Sequence, residues 1–78
     1  MPRTADHDSR RAQITTGVRE LALASGLGAV TIAGTAKAAG ISVGLVQHYY
    51  DSKESLLADT LSRLLGDIEG RVDAAIIR

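Results

Sequence analysis

Thr31-Ile32-Ala33-Gly34-Thr35-Ala36-Lys37-Ala38-Ala39-Gly40-Ile41-Ser42-Val43-Gly44-Leu45-Val46-Gln47-His48-Tyr49-Tyr50 is the stretch that decides the fold. Thr31 is a good N-cap, because its hydroxyl can accept a bond from a free N–H in a helix's first turn. Ile32, Thr35, Ala36 and Ala39 fall on one helical face, and their small size lets another helix approach closely. Gly40 breaks that helix, since glycine takes the left-handed C-cap conformation without steric cost. Ile41 is placed to plug the turn, and Ser42 is an N-cap for a further helix from Val43 to about Tyr49. Two helices separated by about three residues that include a glycine have the spacing of a helix-turn-helix. Spacing alone leaves a plain αα-corner equally open.

Upstream, Ile14, Val18, Leu21, Ala22 and Ser25 follow helical spacing, which predicts a first helix over 9–25. Asp8 or Ser9 can cap it. Gly17 reads as a weak point costing about 1 kcal/mol against alanine, and Gly26-Leu27-Gly28 stops the helix. Residues 1–8 read as a disordered polar tail, with Asp6-His7-Asp8 part of that tail rather than a metal site. Downstream, Asp51-Ser52 ends the third helix and Ser52 can cap a fourth, whose first turn carries Glu54, favourable to the helix dipole. Leu56, Leu57, Leu61, Leu64, Leu65, Ile68, Val72 and Ile76 form a sustained apolar stripe. A helix from Ser52 to about Ile77 would span nearly 40 Å. Three short helices cannot cover that length, so its second half is expected to pack on further chain or on a partner. The expected fold is all-α: a three-helix, homeodomain-like helix-turn-helix domain over 9–52, then a long linking helix over 53–78. The chain is expected to be the N-terminal piece of a longer protein.

The 78 residues fit one small domain. There is no cysteine, so no disulfide or thiolate metal site supplements the core. Nine Lys and Arg balance nine Asp and Glu, whereas nucleic-acid binders usually carry a basic footprint. The distribution is uneven, however. Asp59, Asp67, Glu69 and Asp73 sit in the last third, while Arg10, Arg11, Arg19, Lys37 and Lys53 face only Glu20 and Asp51 between Ser9 and Lys53. No apolar run follows the polar N-terminus and no stretch has membrane-spanning length. A cytoplasmic location without a membrane partner is therefore expected. His48, Asp51 and Ser52 are close in sequence, but a helix end points them apart and nothing supplies an oxyanion hole. Neither an enzyme nor a cofactor is expected.

On the third helix, Val46 and Tyr50 fall on one side with Tyr49 at its margin. Val43, Gly44, Gln47 and His48 fall on the other, with Leu45 at its edge. The first side has core character. The second suits a DNA major groove, which admits one helix whose N-terminal residues meet the base edges. Gly44 lets the backbone come close, and Gln47 can pair with adenine or donate to phosphate. Val43 and Leu45 can meet a thymine methyl. His48 and the Tyr49 hydroxyl can reach phosphate oxygens.

The run from Thr31 to Leu57, with Gly40-Ile41-Ser42-Val43-Gly44 followed by His48-Tyr49-Tyr50-Asp51-Ser52-Lys53-Glu54, resembles the signature of the TetR/AcrR repressor family. The likeness reaches back through Arg11, Ile14, Ala22 and Gly26. It implies a DNA-binding head joined by the fourth helix to a ligand-binding and dimerising domain absent from this chain. It further implies a ligand-released repressor, a palindromic double-stranded operator, a homodimer in full-length form, and a small-molecule inducer bound by the missing domain. Carried over by position, Thr31 and Ala33 stand near the DNA backbone. Val43, Gly44, Leu45, Gln47 and His48 form the reading surface, Ser42 is a further DNA contact, and Tyr49 and Lys53 contact phosphate. For Lys53, the free N–H groups at a helix start also favour an anion. Arg10 and Arg11 are expected to touch phosphates weakly. Three positions depart from the pattern. Gln47 replaces a tyrosine and is free to read a base. Tyr50 replaces a phenylalanine and brings a hydroxyl to satisfy. Thr35 replaces a large apolar residue and weakens the second helix's core. The Gly44-x-x-x-His48-Tyr49-Tyr50 spacing resembles that of choline-responsive members. The neutral charge and the stripe from Leu56 to Ile76 support a different reading, a helical dimerisation module without DNA binding.

Overall fold

The computed structural model describes the backbone of residues 3–77 and the side chains of residues 6–66. Within it the chain forms four α-helices: α1 (Arg3–Ser25), α2 (Ile32–Ala39), α3 (Val43–Tyr49) and α4 (Lys53–Ile77), with a single 3-10 turn, Leu27–Ala29, after α1. No strand occurs among the described residues. α1 packs against α2 and α4, and α2 against α3.

The caps explain the boundaries. The Thr31 hydroxyl accepts from Gly34 N at 2.9 Å and the Ser42 hydroxyl from Leu45 N at 3.0 Å. Gly40 sits at φ 74°, in the left-handed region. Its N–H donates to Lys37 O at 3.2 Å, and Ile41 N–H donates to Ala36 O at 3.0 Å. This pair of bonds is the Schellman closure of a helix C-terminus, and it turns Ile41 onto the core as the accompanying apolar contact. Before α4, Ser52 and Ser55 cap each other reciprocally: Ser55 N donates to Ser52 Oγ at 3.1 Å and Ser52 N to Ser55 Oγ at 3.2 Å.

The core is Ile14, Val18, Val30, Ala36, Val46, Tyr50 and Leu56, with Leu21, Ala22, Ile32, Ile41, Tyr49 and Leu57 packed against it. Each fully buried Val, Leu or Ile contributes about 1.5–3 kcal/mol. Gly17 is no mere weak point. A Cβ there would lie 3.2 Å from Ala39 Cβ, Ala39 N and Thr35 O, so the missing side chain is what lets α1 cross α2 closely. Thr35 is fully buried, and its hydroxyl has no hydrogen-bond partner among the described residues.

The 3-10 turn after α1 delivers Val30 into the core, fully buried. One expectation needs correction. α1 begins at Arg3 rather than Ser9, so most of the stretch read as a disordered tail is helical. Acidic Asp6 in the first turn suits the helix dipole. Asp8 pairs with Arg63 of α4 at 3.1 Å, and His7 bonds Tyr49 of α3 at 2.9 Å. Those contacts tie the early turns of α1 to the bundle.

α4 has 25 residues. Leu56 is fully buried in its first turns, whereas Leu61 and Leu65 are 55% and 49% exposed. Ile68, Val72 and Ile76 lie outside the described side chains. No described helix is long and apolar enough to cross a membrane.

Candidate nucleic-acid interface

α3 is short, and its two faces differ sharply. Val46 is fully buried, Tyr50 just past its end is nearly so, and Leu45 and Tyr49 are half-buried. Val43, Gly44, Gln47 and His48 are exposed, together with the capping Ser42. The surface expected to read DNA is therefore outward, with Leu45 at its edge. Gly44 has room around it: among the described residues, the nearest atom an added Cβ would meet is Ser42 Oγ at 4.0 Å. A helical glycine costs roughly 0.5–1 kcal/mol relative to alanine. Nothing inside the chain demands that cost here.

Thr31 and Ala33 are exposed on the first turn of α2. The Thr31 hydroxyl accepts the capping bond and keeps its own hydrogen to donate. Lys53 is half-buried at the first residue of α4. Among the described residues, the side chains of Gln47 and Lys53 make no hydrogen bond or ion pair, so no polar bond joins either to the other candidate residues.

Tyr49 is where the structure brings groups together. Its ring meets His48 edge-on at 5.1 Å and His7 at 5.7 Å, and the Arg11 guanidinium lies 5.3 Å from its centroid. A guanidinium at that distance is attracted by the ring's negative face. Arg11 thus stands beside α3. Arg10 instead donates to Gln13 Oε1 at 2.7 Å, and Gln13 Nε2 donates to Ala39 O at 2.9 Å, closing the C-terminus of α2.

His7 was missed by reading the tail as disordered. A signal existed: positions 7, 11, 14 and 18 continue one helical stripe backwards from Ile14 and Val18.

A polar network behind α3 fixes its C-terminal end. The Tyr50 hydroxyl donates to Asp59 Oδ2, which also accepts from Arg63 Nε at 3.1 Å, while Arg63 Nη2 donates to Asp8. Burial, then the bond to Asp59, pushes the Tyr50 phenol well above its ordinary range. For Asp59, burial acts upward, but the hydrogen bonds from Tyr50 and Arg63 and the Arg63 charge outweigh it and hold the carboxyl below 3.8. For Arg63, burial acts downward and its two carboxylate partners more than compensate. The hydroxyl that Tyr50 brings is thereby satisfied. No group of three His, Cys, Asp or Glu able to hold a metal occurs among the described residues.

Comparison with known proteins matches this architecture. The family model described as bacterial regulatory proteins, tetR family, matches residues 14–60. The HTH-type transcriptional regulator PksA of Bacillus subtilis (strain 168) is 30% identical over 78 residues, covering 100% of this chain and 38% of its own length. The HTH-type transcriptional regulator BetI of Paraburkholderia phymatum is 37% identical over 68 residues, covering 87% of this chain and 35% of its own length. BetI of Paraburkholderia phytofirmans is 35% identical over the same length. The chain therefore spans little more than a third of these relatives. No solved structure matches significantly. The family match, running from the core of α1 through the helix-turn-helix into α4, places this chain in the tetR family of bacterial regulatory proteins.

Proposed function

We propose that this chain is the DNA-binding head of a transcriptional repressor, with α3 lying in the major groove. The observation that carries the reading is the outward face of α3: Val43, Gly44, Gln47 and His48 are exposed, and Gly44 opens the backbone where nothing inside the chain requires it. Gln47 reads a base, and Val43 and Leu45 meet thymine methyls. Thr31, Ala33, Ser42, His48, Tyr49 and Lys53 position the helix on the phosphates. In a full-length form, two heads of a homodimer bind a palindromic operator about 34–36 Å between half-sites, and a small-molecule inducer on the remaining domain releases them. This is a binding role and requires no catalytic group. The family and the names of its relatives, HTH-type transcriptional regulators, support it. The test is titration of DNA fragments flanking the gene as salt is raised. Binding should fall steeply between about 50 and 200 mM salt as phosphate counterions are exchanged. Absence of binding at low salt by a dimeric full-length form overturns the reading.

The other reading, a dimerisation module without DNA, is not favoured by the family match, although one apolar feature would serve it. Val18, Ala22, Leu27, Leu57, Leu61 and Leu64 line an apolar cleft of about 240 Å³ between α1 and α4. Sedimentation with and without DNA separates the two: a strict monomer eliminates the second.

A further inference from the structure

We propose that His7 is a positioning residue for Tyr49. It donates its Nδ1–H to the phenol oxygen and so leaves the phenol's own hydrogen free for a DNA phosphate. The inference rests on the reading of α3 as the DNA-facing helix.

His7 Nδ1 lies 2.9 Å from the Tyr49 hydroxyl. A neutral imidazole can present either an N–H or a lone pair at Nδ1, and a phenol has one hydrogen and acceptor capacity besides. A phosphate oxygen only accepts. A tyrosine that contacts phosphate must therefore spend its hydrogen there, and the histidine beside it must be the donor. The ring is also held in place. Arg11, one turn along α1 from His7, lies 5.3 Å from the Tyr49 centroid, and the His7 ring meets it at 62°. The same arrangement puts a positive guanidinium beside the phenol. Asp8, the next residue, would repel a phosphate, but Arg63 neutralises it at 3.1 Å. The helical turns before Ser9 thus place a donor at α3 and keep Asp8 paired.

Phosphate contacts carry no sequence information, so a mixed-sequence duplex of about 20 base pairs at low salt is a sufficient probe for the 78-residue chain. His7→Phe keeps a ring and removes the N–H. It should weaken binding about three- to tenfold, the worth of one hydrogen bond. Tyr49→Phe should weaken it by a similar factor, and the double variant should bind no worse than Tyr49→Phe alone. His7→Gln, whose amide can donate, should recover most of the loss. Because His7 is exposed and its bond to Tyr49 holds only the early turns of α1, His7→Phe should lower the melting temperature little. Additive losses in the double variant overturn the inference. So does an unaffected His7→Phe when Lys53→Ala still weakens binding, which leaves the DNA reading intact. If the wild-type chain does not bind the duplex at low salt, this inference falls, while the reading of α3 stands or falls on the dimeric full-length form.

Discussion

Gly17 and Gly44 are both glycines inside helices, and their surroundings could hardly differ more. At Gly17 a Cβ would press on three atoms of Ala39 and Thr35 at 3.2 Å; at Gly44 the nearest described atom it would meet is 4.0 Å away. The first glycine is explained by the fold, because α1 and α2 cross there. The second is not explained by packing among the described residues. The proposed reading accounts for it as room for a DNA backbone to approach α3 from outside. The inner side of the bundle thus answers to packing, whereas the outer face of α3 does not; under the proposed function it answers to DNA.

The contrast breaks most directly at the crossing. Gly17→Val should cost about 1–3 kcal/mol through overpacking, read as a fall in denaturation midpoint. A neutral result means that the crossing relaxes and that Gly17 is not steric. Next is Tyr50→Phe, which leaves Asp59 without one hydrogen bond and should cost about 1 kcal/mol. It should also alter the pH profile. Because the Asp59 carboxyl is held below 3.8 in the folded state, its contribution is present above that value and lost as pH falls through the depressed folded value. Tyr50→Phe should shrink this acid-side loss. It should also remove the alkaline loss that begins as pH rises past 10.0, where the unfolded phenol ionises before the folded one.

Smaller effects sharpen the comparison. Thr35→Val should stabilise by about 1 kcal/mol, because it removes a buried hydroxyl without a partner and keeps the shape. Gly44→Ala should stabilise by roughly 0.5–1 kcal/mol and yet weaken DNA binding, since the added methyl stands on the outward surface. Stabilisation with no loss of DNA binding would leave the glycine unexplained.

Much of this was legible in the sequence because its causes are local. Thr31, Ser42 and Ser52 announce helix starts through a hydroxyl that reaches an N–H only three residues on, and Gly40 announces a stop through its own φ. The outward set on α3 followed from a 100° rotation per residue and the burial of Val46 and Tyr50. What stayed hidden depends on distant partners. The helical turns before Ser9 are held by His7 to Tyr49, 42 residues away, and by Asp8 to Arg63, 55 residues away. Gly17 has meaning only once Ala39 stands opposite, and the bond that satisfies Tyr50 comes from the next helix. At the site, residue types and spacing identified candidates such as Gln47 and Lys53. The anchoring of Tyr49 between His7 and Arg11 required the tertiary fold.

The most direct test of the central claim is an amide chemical-shift titration of the 78-residue chain with duplex DNA at low salt. The account predicts that Gly44, Gln47, His48 and Tyr49 shift first and most, while Leu61 and Leu65 on the exposed side of α4 stay still. Shifts centred on Leu61 and Leu65, or none on α3, would contradict it.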